Sequence, residues 1–217
     1  MGLIVHDLGR LPYPEALALQ EELVERKLAG DDADYLLVVE HDPVYTLGRG
    51  ADEADVCGAG ERLGVPVFRV GRGGGVTFHG PGQVVAYPII ALPDRIRDVG
   101  WYVRTLETAL IETCGAFGIR AGRREGAPGA WVGSEKIAAV GVGIRRWVTW
   151  HGVALNVSTD LSFFDAIVPC RMPAMRVTSM LRQLGAAPPL PRVGATLVAQ
   201  LQAALGVAAS LETETRP

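Results

Sequence analysis

Twelve of the chain's 27 glycines fall within two stretches, Gly71 to Gly82 and Gly126 to Gly152, which together span 39 of its 217 residues. The first stretch contains the run Gly71-Arg72-Gly73-Gly74-Gly75. With no Cβ in the way, backbone N–H groups can converge there or a ligand can lie against the main chain. The rest of the composition is that of an ordinary folded core, 48% apolar and 21% charged, which excludes a disordered tail or a collagen. The first stretch fits neither nucleotide fingerprint. GxxxxGK[ST] is absent, and Gly71-Arg72-Gly73 lacks the following helix that a dinucleotide fold requires. A plain glycine-rich strand connection is the competing reading.

Periodicity places these stretches among recognisable elements. Leu17, Leu19, Leu23, Val24 and Leu28 mark a helix over Pro14–Leu28, and Tyr35–Glu40 reads as a buried strand. A second helix covers Val99–Phe117 and makes Cys114 a core thiol. Shorter helices are expected over Met175–Leu184 and Thr196–Leu205, separated by the proline-rich link Ala187–Pro191. Strand-like runs occupy Val65–Val70, Val84–Ile90, Lys136–Ile144 and Trp147–Val157, the last two forming a hairpin that turns near Arg145-Arg146. Helices and strands mix without a steady βαβ alternation. The expected fold class is therefore α/β in the α+β sense, a mixed and largely antiparallel sheet backed by helices. One domain is expected over 1–210, with 211–217 a frayed tail.

Other classes are excluded by what is missing. No apolar run approaches the 18 to 20 or so residues of a membrane span, and the start Met1-Gly2-Leu3-Ile4-Val5-His6 lacks a basic region and a long apolar core. A cytoplasmic protein is expected, with no membrane or nucleic-acid partner. Cys57, Cys114 and Cys170 are too few and too scattered for a disulfide framework, and no two histidines show ligand spacing, so no metal site is expected. Residues 1–62 carry 14 acidic against 5 basic groups and 63–217 carry 10 against 16. The later part is either ordinary solvated charge or a face for an acidic partner.

Four candidates for chemistry stand out. If Val76–His79 is extended, Thr77 and His79 share one face and Val76 and Phe78 the other. Lys136 is one of only two lysines among 21 basic residues. Strict alternation puts it on the row of Ala138, Val140, Val142 and Ile144, where its ammonium is either partly desolvated or snorkels to water from the strand start. On the next strand Gly152, Ala154 and Asn156 share a face small enough for a pocket wall, and His151, Val153, Leu155 and Val157 share the other. Cys170, bracketed by Pro169 and Pro173, is expected on a stiff loop or turn rather than inside a helix. A nucleophilic thiolate needs a nearby cation, base or helix N-terminus, and nothing in the spacing joins Cys170 to Lys136.

Arg72-Gly-Gly-Gly-Val-Thr-Phe-His-Gly-Pro-Gly-Gln83, Lys136-Ile-Ala-Ala-Val-Gly141, His151-Gly-Val-Ala-Leu-Asn156 and Val168-Pro-Cys170, in that order and spacing, resemble the octanoyltransferases of lipoate biosynthesis. Glu40-His-Asp-Pro-Val-Tyr-Thr-Leu-Gly-Arg49 adds to the match, which runs over nearly the whole chain. The resemblance implies the catalytic fold shared with biotin and lipoate protein ligases. It implies an acyltransferase that takes an octanoyl group from octanoyl-acyl carrier protein and attaches it to a lysine of a lipoyl domain or of the glycine-cleavage H protein. It further implies that Cys170 is the acyl-thioester nucleophile and Lys136 the lysine that lowers its pKa. Arg72, Gly73, Gly74, Gly75, Val76, Thr77, Phe78, His79, Ala139, Val140, Gly141, Gly152, Val153 and Ala154 correspond to segments lining the acyl pocket. No cofactor is implied, and a monomer is expected. The sequence departs from the family after Pro-Cys, where Arg171-Met172 stands in place of Gly-Ile. The rivals are an ATP-dependent lipoate or biotin ligase, which needs no nucleophilic cysteine, and a non-catalytic lipoyl- or carrier-binding module.

Overall fold

The computed structural model describes residues 3–167 and 175–210; Cys170, Arg171-Met172 and the tail 211–217 lie outside them. In chain order the elements are β1 (Ile4–Leu11), α1 (Tyr13–Leu28), β2 (Tyr35–His41), β3 (Val44–Leu47), α2 (Ala59–Leu63), β4 (Val67–Arg69), β5 (Val76–His79) and β6 (Gln83–Ile89). There follow α3 (Val99–Ala116), β7 (Gly129–Val132), β8 (Glu135–Arg145), β9 (Val148–Asn156), β10 (Arg176–Val177), α4 (Met180–Leu184) and α5 (Leu190–Ser210).

The main sheet runs β1-β2-β6-β9-β8, with β7 and β10 both paired to β8. It is mixed as expected. β1–β2 and β8–β10 are parallel and the other ladders antiparallel. β7 and β9 overlap along Ala138-Ala139 and so take opposite edges of β8, and β10 continues the β9 side beyond Asn156. A second sheet, β4-β3-β5, has not been foreseen as a unit.

Alternation decides which face each layer covers. Leu36, Val84, Ala86, Val153 and Leu155 join Leu106 and Leu110 of α3 and Leu197 and Leu201 of α5 in one core. Their neighbours Leu37, Val39, Val85, Tyr87 and Ala154 face the other way, against Ala16, Leu23 and Val24 of α1. α1 begins where Pro14 is tolerated, with Glu15 in its first turn and Arg26 and Lys27 in its last, matching the helix dipole. Lys27, nearly buried, is held by Asp34 at 2.8 Å. Asp98 caps α3 by accepting from the backbone of Gly100 and Trp101. Cys114 lies in the core, where burial pushes its thiol up to about 12.

Two helix boundaries differ from expectation. The Met175–Leu184 helix is replaced by β10 and the short α4, because Arg176-Val177 pairs with Glu135-Lys136 and the Ser179 side chain caps the chain only from Met180 on. α5 starts at Leu190, inside the proline-rich link, since Pro191 in the first turn lacks only an N–H that has no helical partner there. The hairpin turn is Arg146-Trp147, both at positive φ, as a two-residue loop between twisted strands demands. Among the described residues no helix is long and apolar enough to cross a membrane.

Candidate active site

The position of Lys136 follows from one extra residue. Ala130 pairs with Ala138 but Trp131 pairs with Lys136, so Ile137 is a bulge in β8. Ile137 and Ala138 both enter the α3/α5 core, and Lys136 is turned to the opposite face. This corrects the expectation from strict alternation, which puts Lys136 on the Ala138 row. Lys136 is 6% exposed, and its Nζ lies 5.4 Å from the Trp131 ring centroid, within cation–π range.

Lys136 borders a cavity of about 60 Å³. Small residues make room for it. Ala139 and Gly141 of β8 lie opposite Ala154 and Gly152 of β9. At Gly152 a Cβ would collide with the Ala86 carbonyl oxygen, and at Gly141 it would come within 3.1 Å of Arg72 Cδ. The glycine-rich loop closes one side, fastened by the Gly73 N–H to the Val142 carbonyl at 2.8 Å. Phe78 points away into the core of the second sheet; Val76 packs into that core too but still borders the cavity, as do Thr77 and His79. The sequence-predicted lining is thus brought together with two exceptions. Gly73 anchors the loop, and Phe78 stacks on Phe163 with ring centroids 4.5 Å apart.

Phe164, Met175 and Val177, the described residues on either side of 168–174, also line the cavity. So do Tyr13 and Tyr87, which sequence reasoning missed. Their partners are distant in sequence, and no local pattern marks them. His151 is a further difference. Alternation assigns it to the face of Val153, but its φ of 54° and its N–H bond to Gln20 Oε1 swing the ring onto Trp150, 4.3 Å away, and beside Tyr87.

The polar groups of this cavity are buried and mostly paired. Arg72 donates to the Thr46 carbonyl at 2.7 Å, to Thr46 Oγ1 at 2.8 Å and to the Gly73 carbonyl at 3.0 Å. His79 Nδ1 meets Gln83 Oε1 at 2.8 Å, and Gln83 Nε2 donates to the Phe78 carbonyl and to Asn156 Oδ1. His41 is bonded to the Leu11 carbonyl and the Tyr87 hydroxyl. Burial is the main cause that holds His79 and His151 down to about 3, with His41 and Arg72 acting on the first and Arg72 and Arg49 on the second. Both rings are neutral at physiological pH. Burial also lifts Tyr13 to about 12. His151 Nε2 and Gln20 Nε2 have no hydrogen-bond partner among the described residues. No group of three or more His, Cys, Asp or Glu suited to a metal occurs among those residues.

The site is therefore an apolar trough with a buried lysine beside it, and along its wall neutral polar groups and the hydrogen-bonded Arg72 guanidinium. Comparisons with known proteins bear on the family and the fold. A family model described as the lipoyl protein ligase A/B catalytic domain matches residues 12–202. A relative named octanoyltransferase from Solibacter usitatus is 51% identical over 193 residues, covering 88% of this chain and 87% of its own. Another from Rubrobacter xylanophilus is 46% identical over 203 residues, 91% of each chain. A lipoate-protein ligase A structure bound with ATP superposes with a TM-score of 0.75 at 20% identity, covering 95% of this chain and 86% of that one. The bipartite lipoate protein ligase of Thermoplasma acidophilum gives 0.76 at 20%, covering 95% and 84%. At such identities the solved structures speak to the fold alone. Together with the family match over 12–202, the two curated relatives make this chain a member of the lipoyl protein ligase A/B catalytic domain family.

Proposed function

We propose that the protein is an octanoyltransferase of protein lipoylation, with residues 1–210 as its catalytic domain. The donor is octanoyl-acyl carrier protein, and the acceptor is a lysine of a lipoyl domain or of the glycine-cleavage H protein. Cys170 Sγ attacks the thioester carbonyl, the carrier's carbon–sulfur bond breaks, and the carrier thiol leaves with a proton. The acceptor amine then attacks the Cys170 thioester, forming an amide and returning the thiol. The thioester is already activated, so neither ATP nor another cofactor is required. Lys136 stabilises the thiolate and then assists loss of the acceptor's proton.

One observation carries this reading: the buried Lys136 stands beside a trough floored by Ala139, Gly141, Gly152 and Ala154. Supporting it, the chain lines the same cavity at Phe164 before Cys170 and at Met175 and Val177 after it, and the curated relatives are octanoyltransferases. Burying six or seven methylenes supplies about 5 kcal/mol at most, enough to select a medium chain. The protein acts as a monomer in the cytoplasm on this reading.

The test is an intact-mass measurement after mixing with octanoyl-acyl carrier protein without ATP. An octanoyl adduct on the wild type that is lost in Cys170→Ser supports the proposal. A wild type that stays unmodified under conditions where it lipoylates its acceptor with ATP would assign it to the ligases instead. Binding of the carrier with no turnover under either condition would leave a binding module. Thiol alkylation against pH isolates Lys136. Lys136→Ala should move the alkylation limb to higher pH, and superimposable limbs would remove it from the role.

A further inference from the structure

We propose that Gln83 and Asn156 are positioning residues for the reacting pair, because their amides form the middle of one directed hydrogen-bond chain from the Arg72 guanidinium to the backbone carbonyl of Thr178, the residue whose own N–H is bonded to the carbonyl of Lys136. The inference rests on the Cys170/Lys136 reading above and deepens it.

The chain can be followed donor by donor. Arg72 donates to Thr46 Oγ1 at 2.8 Å, which leaves the hydroxyl proton to point at His79 Nε2, 3.5 Å away. His79 Nδ1–H donates to Gln83 Oε1 at 2.8 Å, and Gln83 Nε2 donates to Asn156 Oδ1 at 2.9 Å. Asn156 Nδ2 donates to the Thr178 carbonyl at 3.1 Å, and the Thr178 N–H donates to the Lys136 carbonyl at 2.9 Å. Both ends are one-way, since a guanidinium only donates and a carbonyl only accepts. The Phe78 and Thr178 carbonyls fix the two amides independently, because each must face a nitrogen. No amide can be flipped without setting acceptor against acceptor, so His79 is held as the neutral Nδ1–H tautomer.

Every side-chain link is buried, with Thr46 at 0%, Gln83 at 1% and Asn156 at 5% exposure. Water cannot readily replace a lost link, and aligned bonds in such surroundings strengthen one another. The chain also does a job that strand pairing alone does not. β10 is only two residues long, and Val177 is the residue paired with Lys136. Asn156, where β9 ends, holds Thr178 and thereby the two-residue strand against β8. The chain links three parts of the site: the Arg72 side of the acyl cavity, the strand that carries Lys136, and the segment that follows 168–174.

The test is a double-mutant cycle on the first half-reaction, acyl transfer from octanoyl-acyl carrier protein to the enzyme. Gln83→Leu and Asn156→Leu should each slow acylation by on the order of 10- to 100-fold, as sub-ångström misplacement of reacting groups does. The donor KM should stay within about twofold, and the double variant should be no slower than the worse single. Gln83→Glu and Asn156→Asp, which keep size and lose donors, should show the same pattern if the leucine variants fold poorly. Leu110→Ala in α3 measures the effect of lost core packing alone and should acylate at the wild-type rate. Losses that multiply in the double variant, a KM effect with kcat preserved, or single variants at the wild-type rate would each overturn the proposal. A wild type that forms no Cys170 adduct would instead sink the underlying reaction and this inference with it.

Discussion

Acidification from pH 7 to 5 should strip the fold of a large part of its stability, and the cause lies in the cavity wall. His79 and His151 are each held down to about 3, chiefly by burial, and His41 is displaced the same way. A histidine in the unfolded chain titrates near 6.5. Between about pH 6.5 and 3 the unfolded state therefore binds protons that the folded state refuses, so stability rises with pH in that window and falls as acid is added. Above 6.5 both states are neutral and the contribution is constant. At pH 5 the gap is about 1.5 pH units, or about 2 kcal/mol per histidine and about 4 kcal/mol for the two, with His41 adding to it. Total stability for a domain is roughly 5–15 kcal/mol. Measurements that end at pH 5.0 stay above the main carboxylate range, so Asp31 and Asp160, whose values are lowered by hydrogen bonds from Tyr35 and Ser162 respectively, contribute little to the slope. Urea unfolding followed by tryptophan fluorescence at half-unit steps from pH 7.5 to 5.0 measures the slope. His151→Asn, a residue that tolerates the left-handed backbone at this position, should remove about one proton's share. A stability change under about 1 kcal/mol across the window, or a slope unaltered in the variant, would refute the reasoning.

Three further outcomes follow from the geometry. Gly152→Ala drives a Cβ into the Ala86 carbonyl and to 2.8 Å from Pro88 Cδ, neither of which can swing aside; it should cost about 1–3 kcal/mol, read as a fall of several degrees in Tm, and an unchanged Tm would contradict it. Arg72→Met removes a buried donor to the Thr46 carbonyl, Thr46 Oγ1 and the Gly73 carbonyl, so it should lower stability by about 1–3 kcal/mol and raise the donor KM; steady-state kinetics that match the wild type would remove Arg72 from the cavity wall. Glu107→Leu removes the acceptor of the Gly129 N–H at 2.9 Å and of Arg123 Nε at 3.1 Å; hydrogen exchange at Gly129 should quicken, whereas retained protection would mean another acceptor takes over.

The regular elements were legible because their apolar spacing is local. α1, α3, β2, β6, β8 and β9 fall within a residue or two of where periodicity places them. β1 and β7 were not, because what makes them strands is pairing, with β2 some 30 residues later and with β8 through a slipped register. The candidate site divides along the same line. Thr77 and His79 share a face by simple alternation, and the small residues of β8 and β9 line up opposite one another. Strict alternation puts Lys136 and His151 on the wrong face, and each lies where the backbone leaves the extended conformation: at the Ile137 bulge and at the left-handed His151. A period-two rule carries a face assignment along a strand only while no residue is inserted and no φ changes sign. Strict alternation would have placed Lys136 in the α3/α5 core, where an ammonium without a partner is costly. The bulge leaves Ile137 in that core and gives the lysine to the cavity. The local irregularities that defeat the pattern are thus the means by which an apolar sheet presents polar side chains to a ligand, and they occur at the positions where such a site needs them.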